Sequence, residues 1–265
     1  MNWIGDLLMG LAVLVLPIAM FALVVHGLEH FMQSRLARRF GWRSVLWTAW
    51  LGTPIHEFSH VVMCWIFRHR IEEVRLFDPD VKAGRLGFVR HSYHRGNWFE
   101  EFGNVWIGTA PLLGGSLFLI GLSLLFYPSA VTAAIESAMD LDAERPWTLV
   151  NQLGTSAGTS LSKIVTLENL LTARFWCYVY LVLCVGCHMA PSWSDYRGAA
   201  RGAMVCCGLA IVVALAIGLS GVGGYQIALG CLPYLAPLWC VAMLAVGVST
   251  IAAVGVFALT TIWQK

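Results

Sequence analysis

Six apolar stretches, at about 4–28, 45–67, 104–127, 174–190, 203–220 and 232–260, dominate this chain of 265 residues. A helix of about 20 apolar residues is what crosses the hydrocarbon of a bilayer, because a helix satisfies its own backbone polar groups where no water can. Charged residues make up 12% of the sequence, against about 25% in an ordinary soluble domain. Together these features predict an all-α polytopic membrane protein with about six transmembrane helices, built as a single membrane domain over 1–265. The last stretch is long enough to tilt or break near Pro233 and Pro237. The run from Leu7 to Val25 follows Asp6 and lacks a basic leader, so it reads as a retained span rather than a cleaved signal.

Charge in the connecting segments gives an orientation. Residues 68–103 hold Arg68, Arg70, Arg75, Lys82, Arg85, Arg90 and Arg95, whereas 128–173 holds Glu136, Asp140, Asp142, Glu144 and Glu168 against Arg145 and Lys163. Basic loops stay in the cytoplasm, which places 68–103 inside and 128–173 outside a bacterial-type inner (cytoplasmic) membrane. Arg35, Arg38, Arg39 and Arg43 run against this arrangement. A short interfacial helix there, or a first segment that does not cross, would reconcile them. The net charge of +2 argues against a nucleic-acid partner. The eight cysteines fall in or beside apolar stretches and read as packing thiols, with Cys184 and Cys187 forming a C-x-x-C that also suits metal or redox chemistry.

Within the second apolar stretch lies His56-Glu57-Phe58-Ser59-His60, an H-E-x-x-H pentad. On a helix the two histidines are one turn apart on one face and reach one metal ion, expected to be Zn²⁺. Glu57 beside them is placed to take a proton from an activated water. Ionisable groups at membrane depth are costly and point to function. Snorkelling of a helix end into the headgroups accounts for one histidine, but not for this spacing with a carboxylate between.

A catalytic zinc takes three protein ligands and keeps a fourth position open. Asp195 is the one acidic residue between the fourth and fifth spans, and the orientation brings it to the same face as the pentad. It reads either as the third ligand or as a headgroup-level carboxylate paired with Arg197 or Arg201. His188, seven residues earlier, is placed to hydrogen-bond substrate or to support a ligand from behind.

Three stretches together resemble the site-2 protease family of intramembrane zinc metalloproteases. They are Gly52-Thr53-Pro54-Ile55-His56-Glu57-Phe58-Ser59-His60, then Gly108-Thr109-Ala110-Pro111-Leu112-Leu113-Gly114-Gly115, then Pro191 to Gly198. The second is similar to the family's G-P-x-x-N stretch and the third to its N-x-x-P-x-x-x-L-D-G stretch. In this chain His188 stands where the family has an asparagine ahead of the proline, Gly114-Gly115 where another asparagine is common, and Tyr196-Arg197 separates Asp195 from Gly198. The resemblance implies a catalytic core over about 45–200, preceded by an N-terminal span and interfacial segment (1–44) and followed by C-terminal spans (201–265). It implies His56, His60 and Asp195 as zinc ligands and Glu57 as general base.

Residues 71–93 alternate at Val74, Leu76, Leu86 and Phe88, with His91 and Tyr93, around a turn containing Pro79 and Gly84. This pattern predicts a β-hairpin between the second and third spans. The family carries a hairpin that dips toward the membrane here. The resemblance implies that its open edge holds an unwound substrate by strand addition, with Phe88 and Val89 as substrate contacts; an ordinary cytoplasmic hairpin is the alternative. His91 and His94, flanked by Arg90 and Arg95, are expected at the surface or among headgroups, and Glu29, His30, Glu100 and Glu101 at the interface. Residues 128–173, Gly/Ser/Thr-rich over 154–162, read as an irregular segment serving as lid, partner contact or flexible loop. The expected reaction is hydrolysis of peptide bonds in a membrane-protein substrate. A zinc-dependent membrane enzyme of another reaction type, and a non-catalytic scaffold or transport component, stay open beside it.

Overall fold

The computed structural model describes residues 3–80, 84–139, 146–220, 243, 246–247, 249–258 and 260–261. It is mostly helical, with one small antiparallel sheet. Helix α1 runs Trp3–Phe40 without a break, so the basic residues Arg35, Arg38 and Arg39 extend the first helix rather than form a separate one. The stretch after Gly27 is free of glycine and proline up to Gly41, and basic side chains suit a helix C-terminus. A 3₁₀ turn, Trp42–Val45, leads into α2, Leu46–Ile66.

The end of α2 is closed by a Schellman motif. Arg68 takes a left-handed conformation (φ 61°), its amide donates to the Trp65 carbonyl at 3.3 Å, and the His69 amide donates to the Cys64 carbonyl at 2.9 Å. The chain then enters the predicted hairpin. Strands β1 (Arg70–Arg75) and β2 (Phe88–Ser92) are antiparallel, with Arg70 opposite Ser92 and Arg75 opposite Phe88, and a bulge between Ile71 and Glu73. Backbone pairing continues toward the turn, from the Asp78 amide to the Leu86 carbonyl at 2.7 Å; residues 81–83 lie outside the described part of the turn.

Helix α3, Trp98–Phe126, is among the described residues the one helix both long and apolar enough to cross a membrane. Residues 128–173 are more regular than expected. They form α4 (Pro128–Met139), α5 (Pro146–Ile164) and a short α6 (Leu167–Leu170). Within the Gly/Ser/Thr-rich part of α5 the hydroxyls are satisfied by carbonyls one turn earlier: Thr155 by Asn151, Thr159 by Thr155 and Ser160 by Ser156. Two further helices follow, α7 (Ala173–Gly186) and α8 (Trp193–Ser220). Of the expected span 232–260, residues 249–258 are helical and apolar, and most of the rest lies outside the described residues.

The chain forms two compact units. One comprises Met1–Leu23, Ile120–Tyr178 and Cys207–Gly247; the other comprises Val24–Leu119, Val179–Cys206 and Val248–Lys265. In the first, Tyr178 is buried against Tyr127, and its hydroxyl meets that of Ser123 at 2.8 Å. The second unit holds every residue expected at the functional site. There α2 is tied to α7 by Tyr180, whose hydroxyl donates to the Trp47 carbonyl at 2.6 Å and accepts from the Trp50 indole at 2.9 Å. Close helix approach depends on small residues. A Cβ on Gly108 would lie 2.7 Å from the Asp195 carbonyl oxygen, and one on Gly114 would collide with the Ser59 side chain.

Candidate metal centre

Helix α2 presents His56 and His60 one turn apart, with their Nε2 atoms 3.2 Å from each other. Each ring is steered from behind by a peptide carbonyl. His56 Nδ1 is 2.7 Å from the His188 carbonyl oxygen, and His60 Nδ1 is 2.8 Å from that of Ile107. A carbonyl only accepts, so Nδ1 carries the proton in both rings and Nε2 presents a lone pair. The Ile107 carbonyl is free for this role because Pro111, inside α3, has no amide with which to bond the residue four before it. Likewise, His188 lies past the end of α7, where helix carbonyls need outside partners.

Asp195 completes the group. Its Oδ1 lies 3.4 Å from His60 Nε2 and its Oδ2 lies 3.6 Å from His56 Nε2. A tetrahedral site with donors at about 2.0–2.2 Å from zinc has edges of about 3.3–3.6 Å, so separations of 3.2, 3.4 and 3.6 Å are of the size that one ion requires. Two ring lone pairs and a carboxylate that converge at this distance repel one another unless a cation lies among them.

A capping box at the start of α8 aims this carboxylate. The Ser192 amide and hydroxyl both donate to Asp195 Oδ2 at 2.7 Å, and the Asp195 amide donates to Ser192 Oγ at 3.3 Å. The alternative pairing of Asp195 with Arg197 is not adopted; the Arg197 guanidinium lies over the Trp193 ring. From the other side, α1 holds the turn that leads to Asp195. Glu29 accepts from the Ala190 amide at 3.1 Å, and Gln33 donates to the Cys187 carbonyl at 2.8 Å. Glu29, expected at the interface, is thus turned inward.

Glu57 is 8% exposed and shares a cavity of about 680 Å³ with the three donors. The hairpin covers it: a Cβ on Gly87 would come within 2.9 Å of Glu57 Cγ. Phe88 and Val89 line the same cavity. The His188 ring also borders it, but its Nε2 is 3.0 Å from the Thr48 hydroxyl, so the residue supports His56 through its carbonyl rather than its ring.

No family model, curated protein or solved structure matches this chain. What it can do is read from the donors and their surroundings.

His91 and His94 do not act as a pair. His94 is bonded to the Glu100 carboxylate through its amide at 2.6 Å and its ring at 3.3 Å. His91 faces inward on the hairpin instead of outward, with its Nδ1 3.0 Å from His69 Nδ1. Cys184 and Cys187 also part company: the thiol of Cys184 is directed at the Trp47 carbonyl and that of Cys187 at the Met32 sulfur. Sequence reasoning passed over His69, the inward role of Glu29 and the Ser192 cap. For Ser192 the signal was present, since Ser192-Pro-free-Asp195 spacing is the S-x-x-D form of a capping box.

Proposed function

We propose that the chain is an intramembrane zinc metallopeptidase of the site-2 protease type, hydrolysing membrane-spanning substrates toward the cytoplasmic side of a bilayer that the chain crosses several times. The observation that carries this reading is the convergence of His56, His60 and Asp195 at metal-ligand distances, with Glu57 beside them under the hairpin. Large apolar side chains on the same helices face outward, among them Trp50, Phe58 and Trp65 on α2, Leu117 and Leu125 on α3, and Val212 on α8. Such a surface suits lipid better than water. A peptide substrate is favoured over a lipid because β2 borders the cavity and, among the described residues, pairs only with β1. Its other edge offers main-chain hydrogen bonds to an extended peptide.

His56, His60 and Asp195 would hold the metal. When bound, zinc lowers the pKa of a water toward about 7 and polarises the scissile carbonyl. Glu57 takes a proton from the attacking water as the C–O bond forms. It returns that proton to the amide nitrogen as the C–N bond breaks, so the leaving amine departs neutral. The edge of β2 keeps the peptide extended, which exposes a carbonyl that a helix would occupy in its own hydrogen bonds. Gly87 lets the hairpin lie close over Glu57 and limits bulk water around the proton transfer.

Purified chain reconstituted in liposomes with a panel of single-span reporter proteins tests the proposal. Wild type is expected to cut within or beside the span, and Glu57→Gln to retain zinc while cleavage falls by at least about 10²-fold. Cleavage by zinc-loaded Glu57→Gln at the wild-type rate would overturn it.

A further inference from the structure

A second group of metal-ligating side chains lies where α2 ends and the hairpin begins. Cys64 Sγ, His69 and His91 each present a donor atom within 4.8 Å of the other two, with Cys64 and His69 buried and His91 half-buried. The Schellman motif creates half of this arrangement. The His69 amide donates to the Cys64 carbonyl, so two residues five apart are folded onto one another. Strand pairing supplies the rest, because Ile71 stands opposite His91 and brings β2 back to the start of β1.

The ring of His69 is oriented like those of His56 and His60. Its Nε2 lies 2.8 Å from the Glu100 carbonyl oxygen, which assigns the proton to Nε2 and leaves the Nδ1 lone pair facing His91 Nδ1 at 3.0 Å. Tyr93 stacks on the same ring at 5.1 Å between centroids and fixes its plane. The neighbouring arginine that would oppose a cation is turned elsewhere: Arg90 pairs with Glu73 at 3.4 Å, as alternation along a strand requires for the residue beside an inward His91.

We infer that Cys64, His69 and His91 form a second metal site, of thiolate and two imidazoles, that fastens the hairpin to the end of α2. One thiolate with two imidazole nitrogens selects a borderline-soft divalent ion, of which zinc is the common case. Coordination deprotonates Cys64 and releases that proton to solvent. The site is distinct from the His56, His60 and Asp195 centre in composition, since only the second contains sulfur, and it does not rest on the proposed peptidase activity. Its role is positional: with β1 and β2 fixed at their base, Gly87 is held over Glu57.

The test uses the full chain purified in detergent, loaded with zinc for counting and with cobalt(II) for spectroscopy. Wild type is expected to hold about two metal ions per chain and, with cobalt, to show the near-ultraviolet thiolate-to-cobalt charge-transfer band that an all-imidazole-carboxylate site lacks. Cys64→Ser should remove the band and lower the count to about one, while Asp195→Ala should lower the count and keep the band. Wild-type protein that binds one ion without the band overturns the inference, as does a band that survives in Cys64→Ser. The wild-type measurement decides the matter even where a variant fails to fold.

Discussion

Pro111 and Ser192 show how single residues set the proposed metal centre without touching a metal. Replacing Pro111 with alanine restores an amide that competes for the Ile107 carbonyl, the group that orients His60. Loss of such a supporting hydrogen bond typically weakens a metal site by about 10–100-fold, and we expect a weakening of that order in Pro111→Ala by chelator competition, with the helix intact by circular dichroism. Ser192→Ala removes the hydroxyl that caps α8 and aims Asp195. It is expected to lower stability by about 1 kcal/mol, seen in denaturant unfolding, and to weaken metal binding in parallel. The pentad and Asp195 were legible in the sequence because their spacing and charge are unusual in apolar surroundings. The carbonyls of Ile107 and His188 were not, since every residue has one and only the fold decides which are free.

At the level of elements, the hairpin is the part on which the proposed peptidase reaction would depend most directly. Its existence was legible from two short runs around a Pro/Gly turn, but its covered face was not: Val74 and Leu76 are exposed, and Val74 stands opposite Val89 while Phe88 stands opposite Arg75, so the expected apolar row is split between the two faces. Its docking onto Glu57 was not legible either, because that contact depends on the bulge after Ile71 and the left-handed turn at Arg68, neither of which leaves a hydropathy pattern. Gly87→Val tests the docking. The added side chain meets Glu57 Cγ and the Arg75 carbonyl oxygen at 2.8–2.9 Å from its Cβ alone, so the strand must move outward. Displacement of about 1 Å at a reacting group costs on the order of 10²-fold in rate. Cleavage of the reporters is expected to fall by that order while zinc content holds. The helices of 128–173 were missed for a related reason: serine and threonine favour loops in isolation, but their hydroxyls bond back within α5 once the helix has formed.

For the whole molecule, the long apolar stretches made a helical architecture legible, whereas the division into two compact units was not, since α1, α3, α7 and α8 each contribute to both. If the outward-facing tryptophans and leucines of α2, α3 and α8 contact lipid, the chain should stay in the membrane pellet through an alkaline carbonate wash and leave it only with detergent. Recovery in the carbonate supernatant would refute a multi-spanning arrangement. The carbonyl steering of His56 and His60 has a further consequence for how such a centre withstands mutational drift. A peptide carbonyl is the same atom pair whatever side chain it carries, so Ile107 can become valine or leucine without altering what His60 feels. The burden of keeping the rings in place falls on the positions that leave those carbonyls free, Pro111 foremost, and substitutions can accumulate around the metal ligands while their orientation persists.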